Sequence, residues 1–109
     1  MQLHNKSLIT AHEYQKKCKS TAIYPKKDAI AYLSLGLVSE AGEVAGKVKK
    51  NIRDGTESNV ASEIGDVLWY CAMLAKETKV SLNDIMKDNL KKLYSRKERG
   101  TLQGSGDNR

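Results

Sequence analysis

Apolar residues recur every three or four positions along most of this chain, and no segment alternates convincingly between apolar and polar residues. A spacing of three or four is typical of an amphipathic α-helix, whereas alternation is typical of a β-strand. The chain also has a single proline. The pattern therefore predicts an all-α fold in one domain, residues 1–109, with short connections that favour an antiparallel, four-helix-bundle-like arrangement. The four predicted helices extend over approximately residues 7–20, 28–53, 57–79 and 81–99.

Local signals place the helix ends. Thr10-Ala-His-Glu13 matches a capping box, so the first helix could begin as late as Thr10. Gly55 follows the second helix, in the position of a left-handed C-cap. Ser81-Leu-Asn-Asp84 resembles a second capping box. Residues 100–109, which are polar and glycine-rich, are expected to form a flexible tail unless a ligand or a neighbour orders them.

Composition narrows the class of protein. Cys18 and Cys71 are not in a metal-ligand spacing, and reduced, buried thiols are expected. No apolar run approaches about 18 residues and no signal-peptide pattern opens the sequence, so we expect a cytoplasmic protein without a membrane segment. The net charge of +6 suits either nucleic acid or a small polyanion. The lysines are interspersed with acids and aromatic residues are few, which favours the small polyanion.

Two pairs of acids flank the apolar stripes of the second and third helices. Glu40 and Glu43 lie three residues apart, as do Glu63 and Asp66. Two antiparallel helices would bring the four carboxylates together, where like charges oppose ionisation unless a cation compensates them. An all-oxygen set suits Mg²⁺, with Mn²⁺ as an alternative, and lacks the His or Cys that Zn²⁺ prefers. The competing interpretation is that these acids are ordinary solvated residues.

Basic and amide side chains follow a ridge on the fourth helix. Asn89, Lys92 and Arg96 recur at intervals of three and four, and Lys47 continues the acidic ridge of the second helix. Lysine and arginine beside an acidic metal site suit phosphate oxygens. A solvated basic face is the alternative.

Taken together, these motifs resemble a known family. "EAGEV" followed by "EIGDVLWY" resembles the ExxE…ExxD signature of the MazG-type all-α nucleoside triphosphate pyrophosphohydrolases. "NLKKLYSR" fits that family's phosphate-contacting Asn, Lys and Arg, and "RGTLQGSGDNR" is similar to the tail of small phage and bacterial MazG-like proteins. The resemblance extends from about Tyr32 to the C-terminus.

The resemblance implies that the protein cleaves a nucleoside triphosphate between the α- and β-phosphates. It implies Mg²⁺ held by Glu40, Glu43, Glu63 and Asp66, with Glu40 or Glu43 as the general base. Asn89, Lys92 and Arg96 would contact phosphates, and Tyr70 would pack on the sugar. A core tyrosine with its hydroxyl at the rim is the alternative for Tyr70. It also implies a homodimer or a dimer of dimers with sites at subunit interfaces. Trp69 is predicted to lie on the far side of its helix, at such an interface.

Several properties stay open at this point. The base and sugar preference, the number of metal ions and the biological role cannot be deduced from these residues. Two other classes compete with the enzyme: a non-catalytic helical interaction module and a basic nucleic-acid-binding protein.

Overall fold

The computed structural model describes residues 7–109, which form four α-helices and one 3₁₀ turn, without a strand. The prediction of an all-α fold is confirmed for this part of the chain. The elements, in chain order, are α1 (Ala11–Cys18), the 3₁₀ turn Lys19–Thr21, α2 (Ala29–Asp54), α3 (Ala61–Glu77) and α4 (Leu82–Glu98).

Helix α1 begins at Ala11 because Thr10 caps it. The Thr10 hydroxyl accepts a hydrogen bond from the Glu13 N–H at 3.0 Å, and the Glu13 carboxylate accepts one from the Thr10 N–H at 3.2 Å. This capping box satisfies two N–H groups that the first turn would otherwise leave unpaired. The helix therefore begins at the later of the two predicted positions rather than at residue 7.

Helix α3 begins later than predicted, at Ala61, and the reason lies at the end of α2. Gly55 ends α2 in the left-handed conformation, as expected, with φ 66°. The Asn51 side chain then binds the connection: its oxygen accepts hydrogen bonds from the Thr56 and Ser58 hydroxyls, and its amide donates to the Ser58 carbonyl. These bonds hold residues 56–60 as an ordered loop instead of a first helical turn.

Helices α2 and α3 pack antiparallel along most of their length, α1 packs on α3, and the main contacts of α4 are with α1 and α3. The buried apolar core is small. It consists of Cys18, Leu33, Ala72, Met73 and Leu82.

Gln15 joins three helices from a buried position in α1. Its amide nitrogen donates to the carbonyl oxygens of Ala72 at 3.2 Å and Val80 at 3.1 Å. Its amide oxygen accepts a hydrogen bond of 2.9 Å from the N–H of Leu82, which is the first residue of α4. A buried glutamine with both ends of its amide bonded fixes the start of α4 relative to α1 and α3.

Much of the predicted apolar surface remains exposed. On α4, Ile85 is 41% exposed, Met86 51% and Leu90 51%, and Leu82 is the buried apolar residue of this helix. The other helices of the described chain therefore leave most of the apolar surface of α4 uncovered. The radius of gyration, 17.1 Å, also exceeds the roughly 13 Å of a compact domain of this size.

The C-terminal segment folds back on the end of α4. The Arg109 guanidinium donates hydrogen bonds to the carbonyl oxygens of Thr101, Leu102 and Gly106. The Arg99 guanidinium donates to the main-chain oxygen of Arg109. The expected mobility of residues 100–109 stays a prediction. None of the helices within residues 7–109 combines the length and the apolar character that crossing a bilayer requires.

Candidate active site: two carboxylate pairs on antiparallel helices

The antiparallel packing of α2 on α3 places the four predicted acids in two pairs. Glu40 and Asp66 line one cleft together, and Glu43 and Glu63 line the next. Since residue numbers fall on α3 as they rise on α2, each acid of the first motif faces one acid of the second. The helical spacing of three keeps both acids of each motif on the same face.

The first cleft, the aromatic cleft, has a volume of about 320 Å³. Thr21, Glu40, Asp66, Trp69 and Tyr70 line it. The Trp69 indole N–H donates to the Thr21 hydroxyl at 2.8 Å, and the rings of Trp69 and Tyr70 meet edge to face with centroids 5.0 Å apart. A fixed aromatic wall therefore lies beside two carboxylates.

The prediction for Trp69 is wrong. It was expected on the far side of α3, yet it lines the aromatic cleft with Asp66 and Tyr70. The position of Trp69 follows from its spacing. It lies three residues after Asp66, and residues three apart on a helix share a face. Thr21, by contrast, had no sequence signal, because it reaches the cleft only through the packing of α1 on α3.

Gly36 gives the Tyr70 ring its place. A Cβ atom at position 36 would lie 2.2 Å from a carbon of that ring, closer than any real contact. Burial raises the pKa of Tyr70, and the neighbouring Tyr32 and the charges of Glu40 and Asp66 raise it further. The phenol therefore stays protonated and lies within the electrostatic influence of both carboxylates of the aromatic cleft.

The second cleft, the lysine cleft, has a volume of about 370 Å³ and is lined by residues of both acid helices and their connection. Lys47 forms an ion pair with Glu63 at 2.7 Å. This hydrogen bond lowers the pKa of the Glu63 carboxyl, against the opposing effect of desolvation. Lys50, Asn51, Thr56 and Ser58 also line this cleft; the last three had not been predicted as site residues.

The four carboxylates are the candidate ligands for a metal ion. Within residues 7–109, no three His, Cys, Asp or Glu side chains lie close enough together to hold an ion as they stand. The donors are nevertheless all oxygen, as Mg²⁺ prefers. Glu63 already accepts a cationic partner, the Lys47 ammonium. The donor chemistry therefore fits a hard cation.

The predicted phosphate contacts of α4 lie apart from the acids. Asn89 and Lys92 line a shallow depression with Ile85 and Asp88, and no acid of α2 or α3 contributes to it. Arg96 is only 5% exposed. One of its terminal nitrogens donates to the Asp107 carbonyl at 2.8 Å, while its buried Nε has no hydrogen-bond partner in the described structure. A single chain thus does not bring the basic ridge to the carboxylates.

Comparison with known proteins identifies the family. The description "MazG nucleotide pyrophosphohydrolase domain" matches residues 29–101, about two-thirds of the chain. The chain belongs to the MazG family. It is also 47% identical to the "Gene 37 protein" of Mycobacterium phage L5, over 88% of this chain and 96% of that protein. No solved structure matches.

The MazG match begins at the first residue of α2 and ends just after α4. It therefore contains all four acids, Tyr70 and the basic ridge of α4. Helix α1 and the turn after it lie outside the matched region, although they supply Gln15 to the core and Thr21 to the aromatic cleft. In this MazG protein the segment before the matched domain is thus part of the candidate site.

Proposed function

We propose that this MazG protein is a Mg²⁺-dependent nucleoside triphosphate pyrophosphohydrolase that converts a (d)NTP into the monophosphate and pyrophosphate. The observation that supports the proposal most is the position of Glu40 and Asp66 on facing helices beside the aromatic wall of Trp69 and Tyr70. Carboxylates suit the cation that accompanies a triphosphate, and aromatic rings suit the sugar and base. One cleft would then contain ligands for the cation and a surface for the sugar and base.

Glu40, Asp66, Glu43 and Glu63 are the residues that would hold Mg²⁺. When bound, the ion neutralises triphosphate charge and lowers the pKa of a coordinated water. Lys47 holds one carboxylate oxygen of Glu63, and a cation bound to this carboxylate would repel the Lys47 ammonium and favour its release. Lys47 would then be free to contact a phosphate oxygen from within the lysine cleft.

The protein's own residues carry the proton and orient the substrate. Glu40 or Glu43 accepts the proton of the attacking water as general base; the geometry does not distinguish the two. Tyr70, held by Gly36, packs on the sugar. Asn89 and Lys92 bind the phosphates and stabilise the charge that develops on the leaving pyrophosphate. Arg96 joins them only if its guanidinium leaves its buried contact with the Asp107 carbonyl.

We further propose that the site is completed between subunits of a homodimer or a dimer of dimers. The basic ridge of α4 lies apart from the acids of its own chain. The adjacent side of α4 exposes Ile85, Met86 and Leu90. Burying such apolar residues against a second copy is favourable by about 25 cal/mol per Å². The same association would bring Asn89 and Lys92 of one copy to the acids of another.

A mixing experiment tests this arrangement. Glu40→Gln and Lys92→Ala are each expected to be nearly inactive alone. After the two are unfolded and refolded together, random pairing in a dimer restores about a quarter of wild-type activity, since half of the dimers contain one intact composite site. Activity no greater than the sum of the separate variants would show that each site lies within one subunit. Lys49→Ala mixed with wild type controls for losses on refolding.

The reaction itself is tested with a panel of NTPs and dNTPs, with Mg²⁺ and with EDTA. We expect monophosphate and pyrophosphate in equal amounts, and no turnover in EDTA. A nucleoside diphosphate with free phosphate would refute cleavage between the α- and β-phosphates. No turnover of any nucleotide would favour a helical interaction module. Strongly salt-dependent binding of oligonucleotides without turnover would favour a nucleic-acid-binding protein.

A further inference from the structure

A third cleft, separate from both carboxylate clefts, lies where α1 meets the end of α3 and the start of α4. This basic groove has a volume of about 400 Å³ and is lined by His12, Lys16, Lys19, Lys76, Lys79 and Ser81, together with Gln15 and Val80. His12 and Lys16 of α1 and Lys19 of the following 3₁₀ turn extend over about 10 Å, given the helical rise. The two lysines from α3 and the turn after it contribute further positive charge to the same groove.

The charge of this groove is largely uncompensated. No carboxylate lines it, and of its four lysines only Lys76 makes an ion pair within residues 7–109, with Glu77 at 3.2 Å. Ser81 is the N-cap of α4, so the positive end of that helix dipole adds to the lysine charges. Like charges gathered in a cleft repel one another, and an anion relieves that repulsion.

The backbone conformation of Lys79 places this residue at the end of α3, beside the basic groove. Lys79 is the one non-glycine residue among residues 7–109 with a positive φ, 62°. Its N–H donates to the Lys76 carbonyl and the Val80 N–H donates to the Ala75 carbonyl, which is the Schellman pattern of a helix end. The ends of α2 and α4 place Gly55 and Gly100 in this conformation. Only the helix end that lines the basic groove uses a lysine, which adopts it less readily than glycine.

We propose that the basic groove is a second anion site that binds a small polyphosphate, either inorganic or the phosphate chain of a nucleotide, independently of the proposed active site. Four lysines around about 10 Å of cleft suit several linked phosphates. No Phe, Tyr or Trp side chain lines the groove, whereas proteins that bind single-stranded nucleic acid stack successive bases on such rings. A small anion therefore fits better than a strand.

The test uses inorganic triphosphate as the probe, titrated into the full chain by calorimetry in EDTA, so that binding through a metal ion is silent. We expect binding to the wild type, a Kd raised about tenfold by Lys79→Gly and by Lys16→Ala, and an unchanged Kd in Lys49→Ala and Glu40→Gln. ATP in place of triphosphate separates the two sources. Tighter binding of ATP than of triphosphate would identify the ligand as a nucleotide. Equal binding would show that the groove recognises the phosphate chain alone.

Lys79→Gly gives the sharpest result because its two effects have opposite signs. Relief of the left-handed strain is expected to raise Tm by about 4 °C while the loss of charge weakens triphosphate binding. Lys16→Ala weakens binding without that rise. Equal triphosphate affinity in the wild type, Lys79→Gly and Lys16→Ala would overturn the proposal. So would tighter binding of a single-stranded oligonucleotide of matched charge. Because Glu40→Gln retains the groove, its binding distinguishes failure here from failure of the proposed reaction.

Discussion

Glu40→Gln and Asp66→Asn are each expected to lower kcat for triphosphate hydrolysis by more than about 10²-fold, because a positioned base or metal ligand typically contributes at least that much. Both substitutions keep the shape of the side chain and remove its charge. Glu43→Gln and Glu63→Gln are expected to act in the same direction from the lysine cleft. Steady-state pyrophosphate release at saturating nucleotide and Mg²⁺ measures the effect.

Glu57→Gln is the matched control for these variants. Glu57 is exposed in the loop before α3 and lines none of the three clefts, so its removal is expected to leave kcat within about twofold of wild type. If Glu40→Gln and Asp66→Asn behave as Glu57→Gln does, the four acids are solvated residues and the proposed site is wrong. A circular-dichroism melt of every variant separates lost chemistry from lost folding.

Gln15→Leu is expected to destabilise the protein by about 2–5 kcal/mol. Leucine, of similar volume, removes the hydrogen-bond partner of the buried Leu82 N–H and of the partly buried Val80 carbonyl, and a buried group left unpaired costs about 1–3 kcal/mol. Urea denaturation at a single protein concentration measures the free energy of unfolding, since association would make the result concentration-dependent.

Gln103→Leu supplies the control for this substitution. Gln103 is exposed in the C-terminal segment, and we expect a change of less than about 0.5 kcal/mol. Gln15→Glu is expected to have an intermediate effect on stability. It keeps an oxygen that can accept a hydrogen bond from the Leu82 N–H, but it loses the amide that donates to the Ala72 and Val80 carbonyls. A stability of Gln15→Leu equal to that of the wild type would mean that the three bonds of Gln15 do not hold α1, α3 and α4 together.

The features that the sequence predicted well are local ones. The capping box at Thr10, the left-handed Gly55 and the shared face of each acid pair depend on residues within about one helical turn. The facing of Glu40 and Asp66 also followed, because two helices joined by a short loop pack antiparallel. These parts of the site needed no knowledge of distant contacts.

The features that were missed depend on tertiary contacts or on surfaces that the chain leaves open. The late start of α3 results from the Asn51 side chain, whose three partners in residues 56–60 have no characteristic spacing. Thr21 and Gln15 act through the packing of α1, which periodicity does not specify. The apolar residues of α4 form a face that the described helices leave exposed, and a sequence pattern cannot tell whether a surface that would cover it belongs to the same chain.

The contact between Gly36 and Tyr70 has a practical consequence for protein engineering. The Tyr70 ring occupies the space of a missing Cβ, so the smallest possible enlargement of residue 36 must push the ring away from α2. That displacement changes the shape of the aromatic cleft without altering any charge in it. The nucleotide selectivity of the proposed site is therefore open to redesign from α2, and a library confined to position 36 is the natural place to begin.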